Sequence, residues 1–210
     1  MKNNRVQFLK EKLGKELNIS VSSIELNNNF FHSIVFNSKE LGNLEVRDLN
    51  VQYLPLLFKF YYDGLTENSR KQYHPYPLFN TPPATVDELV SRFNEWKKED
   101  NWIVLNICKD DIILATSDLK RIGTEDVTSG IAVRDDYQGK GLGYLLRMIV
   151  VEQARLLNIP RFHVKIVPAN IASIKLHEKC GFVNTGELQY THFIDGKTVT
   201  ETVRKMEFIF

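Results

Sequence analysis

Val133-Arg134-Asp135-Asp136-Tyr137-Gln138-Gly139-Lys140-Gly141-Leu142-Gly143 is the stretch on which the reading of this chain turns. Before it lies a β-branched run, Val127 to Val133. After it an apolar run passes through Leu145, Leu146, Ile149, Val150 and Ala154 to about Asn158, where Pro160 prevents continuation. The order is therefore strand, glycine-rich turn, long helix. Glycines let backbone N–H groups face a ligand and a helix start adds partial positive charge, so the turn reads either as an anion cradle or as a plain tight turn. No Gly-Lys-Ser/Thr tripeptide ends it, which excludes a P-loop. Gly139, Gly141 and Gly143 are spaced by two, which excludes the dinucleotide fingerprint.

Working outward, Phe162 to Val167 reads as a strand, Asn170 to Lys179 as a helix stopped by Gly181, and Phe182 to Tyr190 and Thr198 to Phe208 as strands around an Asp195-Gly196 turn. Upstream, Trp102 to Cys108 and Ile112 to Ser117 form a hairpin pattern across Lys109-Asp110-Asp111, and with Val127 to Val133 they predict three antiparallel strands. Thr85-x-x-Glu88 is a capping box opening a helix through Leu89, Phe93 and Trp96. Leu44 to Leu49 reads as a strand and Asn50 to Gly64 as a helix, while Leu65 to Pro83 predicts a short helix and an aromatic, proline-rich loop. Val6, Leu9, Leu13 and Leu17 mark an amphipathic helix ahead of apolar runs at Ser23 to Leu26 and Phe30 to Phe36. Residues 1–42 are taken as an N-terminal α/β appendage and 43–210 as the main domain. The fold class expected is α/β (α+β), a mixed sheet flanked by helices.

Composition narrows the function. With 43% hydrophobic and 25% charged residues the chain is globular rather than disordered. A net charge of +1, balanced in each half, argues against nucleic acid as the partner. Cys108 and Cys180 show no metal or redox spacing, so packed thiols and no metal are expected. No run approaches the roughly 18 apolar residues of a membrane span, and the N-terminus lacks a secretory pattern; no membrane partner and a cytoplasmic location are expected.

Gln138-x-x-Gly141-x-Gly143 resembles the pyrophosphate-binding motif of the GNAT N-acetyltransferase superfamily. Asn170-Ile-Ala-Ser173-Ile-Lys-Leu-His177-Glu-Lys-Cys-Gly181-Phe182, about thirty residues on, resembles that family's second cofactor segment. Val46-Arg47-Asp48-Leu49 resembles its first strand. Leu65-Thr-Glu-Asn-Ser69-Arg70 resembles a segment lying near the acceptor in some members. The resemblance covers roughly residues 44–210 and implies a mostly antiparallel, splayed sheet. It also implies acetyl-CoA as co-substrate, with its pyrophosphate on the N–H groups of Gln138, Gly139, Lys140, Gly141, Leu142 and Gly143. Pantetheine would lie along Ile131, Ala132 and Val133, and further contacts would come from Asn170, Ser173 and His177.

The implied reaction moves acetyl to an amine by direct attack in a ternary complex. The Val133 N–H would be the oxyanion donor. His177 stands where many members carry a tyrosine acid, so it becomes the candidate general acid. Thr128 stands where some carry a glutamate base, and a threonine is no base. An alkylamine with a pKa near 10.4 is neutral only about once in 2,500 molecules at pH 7, so a base matters for such acceptors. The absence of a clear base points either to an aromatic amine, an amino sugar or an N-terminal α-amine as acceptor, or to a base supplied by His74, His32 or His192. Arg70, Tyr73, His74 and Tyr76 are expected to meet the acceptor, in keeping with a polar or anionic group beside its amine. A catalytically silent acyl-CoA-binding or sensing module is the competing reading. Residues 1–42 could serve a homodimer or a partner protein.

Overall fold

The computed structural model describes residues 2–17, 19–27, 29–73, 81–99, 101–194 and 197–210. Helix α1 (Lys2–Leu17) leads into strands β1 (Ile19–Asn27), β2 (Phe30–Ser38) and β3 (Gly42–Asp48). Helices α2 (Leu54–Asp63), α3 (Glu67–Gln72) and α4 (Val86–Lys97) come next. Then follow β4 (Ile103–Lys109), β5 (Ile112–Leu119), β6 (Ile131–Val133), α5 (Leu142–Leu156), β7 (Arg161–Ile166), α6 (Ile171–Lys179), β8 (Val183–Ile194) and β9 (Lys197–Ile209). The Asp195-Gly196 turn lies outside the described residues.

Local chemistry sets these boundaries. Thr85 caps α4, its hydroxyl accepting the Glu88 N–H at 3.2 Å while the Glu88 carboxylate accepts the Ala84 N–H at 2.9 Å. Asn170 caps α6 through its side-chain oxygen and the Ser173 N–H at 3.1 Å. Gly181, at φ +94°, provides the left-handed residue that ends the turn after α6.

Strands β1 to β6 form one antiparallel sheet in sequence order, and β7, β9 and β8 form a second. A parallel bridge between Thr128 and His163 joins them. There the Ser129 N–H donates to the His163 carbonyl and the His163 N–H to the Val127 carbonyl, both at 3.0 Å. Beyond that bridge, β6 pairs only with β5 and β7 only with β9, so the two sheets splay apart. The strand expected over Val127 to Val133 is consequently shorter in its ladder, because its first residues are spent on the bridge.

Helix α5 lies against one face, its Leu145, Leu146, Ile149 and Val150 all buried. On the other face Leu54, Phe60, Leu89 and Phe93 of α2 and α4 build a second core. Residues 1–42, expected as an appendage, continue the same sheet, with Ser33 opposite Arg47 and Ser38 opposite Gly42. Leu9 and Leu13 of α1, each 1% exposed, belong to the core that contains α5. Burying two such side chains contributes about 1.5–3 kcal/mol apiece.

Candidate active site

The splay opens a cavity of about 540 Å³ between β7 and the start of β6 with the residues Thr128 to Gly130 that lead into it. One edge is a strand with spare hydrogen bonds. The Gly130 carbonyl accepts from Asp118 N–H at 3.2 Å and Arg134 N–H donates to Leu114 at 2.8 Å, so both turn toward β5. Peptide groups alternate along an antiparallel strand, and hence Ile131 and Val133 direct theirs to the open side. Their side chains pack on the α5 core, whereas Ala132 packs on the α2–α4 core.

The glycine turn lies beyond that cavity, where β6 runs on into α5, and does not line it. Gly139 and Gly141 have φ of +78° and +79°, a region that side-chain-bearing residues rarely adopt. Gly141 is the N-cap residue of α5, so the turn ends on exposed helix-start N–H groups. Gly143 has a different reason to be glycine: a Cβ there would lie 3.3 Å from Leu176 of α6 and 3.4 Å from Val133. Leu142 is buried in the core, and Lys140 is paired with Glu40 at 3.0 Å. The Gln138 side chain donates to the Asp135 carboxylate at 2.8 Å and its backbone N–H turns back to the Asp135 carbonyl at 3.4 Å, so the free donors of the turn begin at Gly139.

Asp135, which the motif reading passed over, anchors the turn. Its carboxylate accepts the Thr66 N–H at 2.6 Å and the Ser69 hydroxyl at 2.8 Å. Partial burial would raise its pKa, but these bonds hold it below the usual carboxylate value. The glycine turn and the start of α3 are thereby fixed to one another.

Helix α6 brings Asn170, Ser173 and His177 to the cavity. His177 is 1% exposed, and its Nδ1 lies 2.7 Å from the Ser173 carbonyl, which can only accept. The proton therefore sits on Nδ1, and buried Nε2 has no hydrogen-bond partner. Burial first, and then the positive charge of Arg147, lower its pKa to about 3. A neutral ring with its free lone pair turned away from Ser173 has no proton to give, which argues physically against the general-acid role the resemblance implied.

Arg147 is the unanticipated side chain. It interrupts the apolar stripe of α5, a signal present in Leu145-Leu146-Arg147-Met148-Ile149, and it is fully buried. Nη1 donates to the Ser129 hydroxyl at 2.5 Å, while Nε and Nη2 have no partner. Its guanidinium lies 5.8 Å from the centre of the Phe182 ring, whose edge also meets His177. Burial lowers its pKa only to about 10, so it remains a cation at neutral pH.

On the acceptor side the expectations divide. Tyr73 is buried, lines the cavity and packs against Gly130. Burial, followed by the nearby Asp118 charge, pushes its hydroxyl well above the ordinary tyrosine value. Arg70 turns away instead: its Nη1 donates to the carbonyls of Tyr62 and Leu65, both at 3.1 Å, where it holds the α2–α3 corner. His74 and Tyr76 lie outside the described residues. His32 pairs with exposed Asp48 at 3.2 Å on β2 and β3 and does not line the cavity. The His192 side chain is likewise outside the described set. Thr128 lines the cavity, and buried Asp118 is committed to the Gly130 N–H at 2.6 Å and Lys120 at 3.3 Å. Lys165 of β7 also lines the cavity; it is set 4.4 Å from the centre of the Tyr190 ring and has no carboxylate partner among the described residues. No metal-holding cluster of His, Cys, Asp and Glu occurs among the described residues, and no helix there is long and apolar enough to cross a membrane.

Comparison with known proteins places this geometry. The acetyltransferase (GNAT) domain family matches residues 43–183. L-methionine sulfoximine/L-methionine sulfone acetyltransferase from Pseudomonas aeruginosa is 39% identical over 62 residues, 30% of this chain and 36% of that protein. The match thus spans about a third of that curated relative. Among solved structures, the ribosomal-protein-S5-alanine acetyltransferase of Vibrio fischeri superposes with a TM-score of 0.66 at 18% identity, covering 79% of this chain and 92% of its own. Spermidine N-acetyltransferase from Vibrio cholerae, solved with CoA and spermine, gives 0.63 at 20% identity, covering 79% and 95%. At such identities the likeness is one of fold.

Proposed function

The chain belongs to the GNAT acetyltransferase family, and from that premise we propose that it transfers acetyl from acetyl-CoA to an amine by direct attack in a ternary complex. The observation that carries the proposal is the open edge of β6 beside the positive-φ glycine turn. An arm bearing amides finds strand-like partners at Ile131 and Val133, and a diphosphate finds convergent donors at Gly139 to Gly143. Acetyl-CoA supplies the activated acyl group; the chain's residues supply position and charge. The Val133 N–H is the donor for the developing oxyanion, Asn170 and Ser173 border the cofactor side, and Tyr73 borders the acceptor side.

The charges around the cavity specify the acceptor further. Among the described residues Lys71, Lys120, Arg121, Arg147 and Lys165 line it against one acid, Glu201. Lys71, Lys120 and Arg121 already have carboxylate partners, which leaves Lys165 and the buried Arg147 without one, and Lys165 is assigned to the acceptor's anionic group. The acceptor is therefore an amine that also carries an anionic group, as an amino acid does, rather than a polyamine. CoA release measured over a panel of amines tests this. Carboxylated amines should exceed spermidine by at least tenfold in kcat/KM, and Lys165→Met should raise their KM about tenfold with acetyl-CoA affinity unchanged. A preference for spermidine would contradict the acceptor class. Acetyl-CoA binding without turnover of any amine would favour the silent module.

A further inference from the structure

Two buried polar groups that face the cavity are left unsatisfied, and they complement a particular charge. Nε and Nη2 of Arg147 are donors without acceptors, and Nε2 of His177 carries a lone pair without a donor. Leaving buried donors unpaired is unfavourable, the more so for a charged group, unless a ligand supplies the acceptor. A permanent cation packed inside a core, with no carboxylate at ion-pair distance, is the costlier of the two features and calls for an anionic visitor. His177 occupies the α6 position where the resemblance put a proton donor, but its only N–H is spent on the Ser173 carbonyl.

We propose that Arg147 stabilises the CoA sulfur as a thiolate, so that the leaving group departs as an ion paired with the guanidinium rather than as a thiol protonated by His177. This rests on the acetyltransferase reading above. The amine nitrogen bonds to the acetyl carbon and its proton passes to solvent; the C–S bond breaks with its electron pair on sulfur; and the free N–H groups of Arg147 receive that charge. Atoms and electrons balance with no further reactant. Arginine suits the task because it stays protonated through the cycle and its fork offers two donors to one centre.

The surrounding charges are consistent with the assignment. Asp118 on β5, Cys180 after α6 and His177 on α6 are the titratable groups whose charges act on Arg147 or feel it. Asp118 is held by Gly130 and Lys120, and His177 is neutral. The other charged residues around the cavity are Lys71, Lys120, Arg121, Lys165 and Glu201, four of them cationic.

The test uses CoA and desulfo-CoA, which lacks the thiol, titrated calorimetrically into the full chain from pH 6 upward past the titration of free CoA, with thiolate absorbance recorded for the CoA complex. The reference is the thiol of free CoA, titrated in the same buffer. The bound CoA thiol should titrate at least about one unit lower, so that the ratio of CoA to desulfo-CoA affinity rises about tenfold as the pH increases. In Arg147→Met, checked for folding by thermal melting, that rise should vanish while desulfo-CoA affinity stays within about threefold. Arg147→Lys should keep part of it. A thiol in the wild-type complex that titrates at or above the value of free CoA would overturn the proposal. The wild-type result is decisive even if the Met variant does not fold. Failure of both ligands to bind would instead remove the acetyltransferase reading, and this inference with it.

Discussion

His177 shows how far one residue's role depends on what surrounds it. Its place in the sequence pattern pointed to an acid, whereas its burial and the Ser173 carbonyl make it a neutral, Nδ1-protonated ring. With a folded pKa of about 3 against roughly 6.5 when unfolded, the unfolded state binds more protons throughout that window. Stability therefore rises with pH and is lost as the pH falls below about 6.5, by up to about 1.4 kcal/mol per unit. His163, lowered to about 4 first by burial, adds in the same direction. Melting temperature should drop steadily from pH 6.5 to 4.5, with a shallower slope in His177→Asn; a flat profile would contradict the burial argument. The same reasoning predicts no inflection near 6.5 in the pH profile of kcat that His177→Asn removes.

The glycines divide in the same manner. Gly139 has positive φ and open space around its missing side chain, while Gly143 is crowded by Leu176 and Val133. Gly139→Ala should cost about 1 kcal/mol of backbone strain and lower acetyl-CoA affinity, since the methyl enters the ligand's space. Gly143→Ala should act chiefly on stability, by about 1 kcal/mol, because the Leu176 and Val133 side chains must give way to the methyl. Calorimetry and thermal melting separate the two, and equal loss of affinity with no change in melting would show that both glycines belong to the cradle.

Among the elements, most of the strand and helix order was legible, because the hydrophobic period changes from two to 3.6 at marked breaks such as Thr85, Gly141 and Asn170. Long-range choices were less so. Nothing in the pattern of Val127 to Val133 reveals that its first residues bridge to His163, and nothing in Arg70 reveals that its guanidinium will cap two carbonyls of its own corner. Asp135 and Arg147 were within reach as anomalies, a carboxylate inside an anion-binding turn and a cation on an apolar helix face. The N-terminal segment could not be placed, since an amphipathic helix shows that it packs without showing on what. Leu13→Ala should cost about 2–5 kcal/mol if α1 is part of the α5 core, read from denaturant unfolding. A loss under about 1 kcal/mol would mark residues 1–42 as a detachable appendage.

For the molecule as a whole, two sheets joined, among the described residues, at a single bridge make a wedge whose cavity is lined by the start of β6, by α6 and by a set of cations. In the proposed reaction thioester and amine meet in this wedge, and holding them together can supply a large share of the acceleration. The direct measurement is thiol release from acetyl-CoA by the purified chain, with and without an amine bearing a carboxylate, the product being identified by mass. The account predicts release that depends on the amine, saturates in both substrates and matches the N-acetylated product mole for mole. Release at the same rate without any amine, or none with any amine while acetyl-CoA binds, would contradict it.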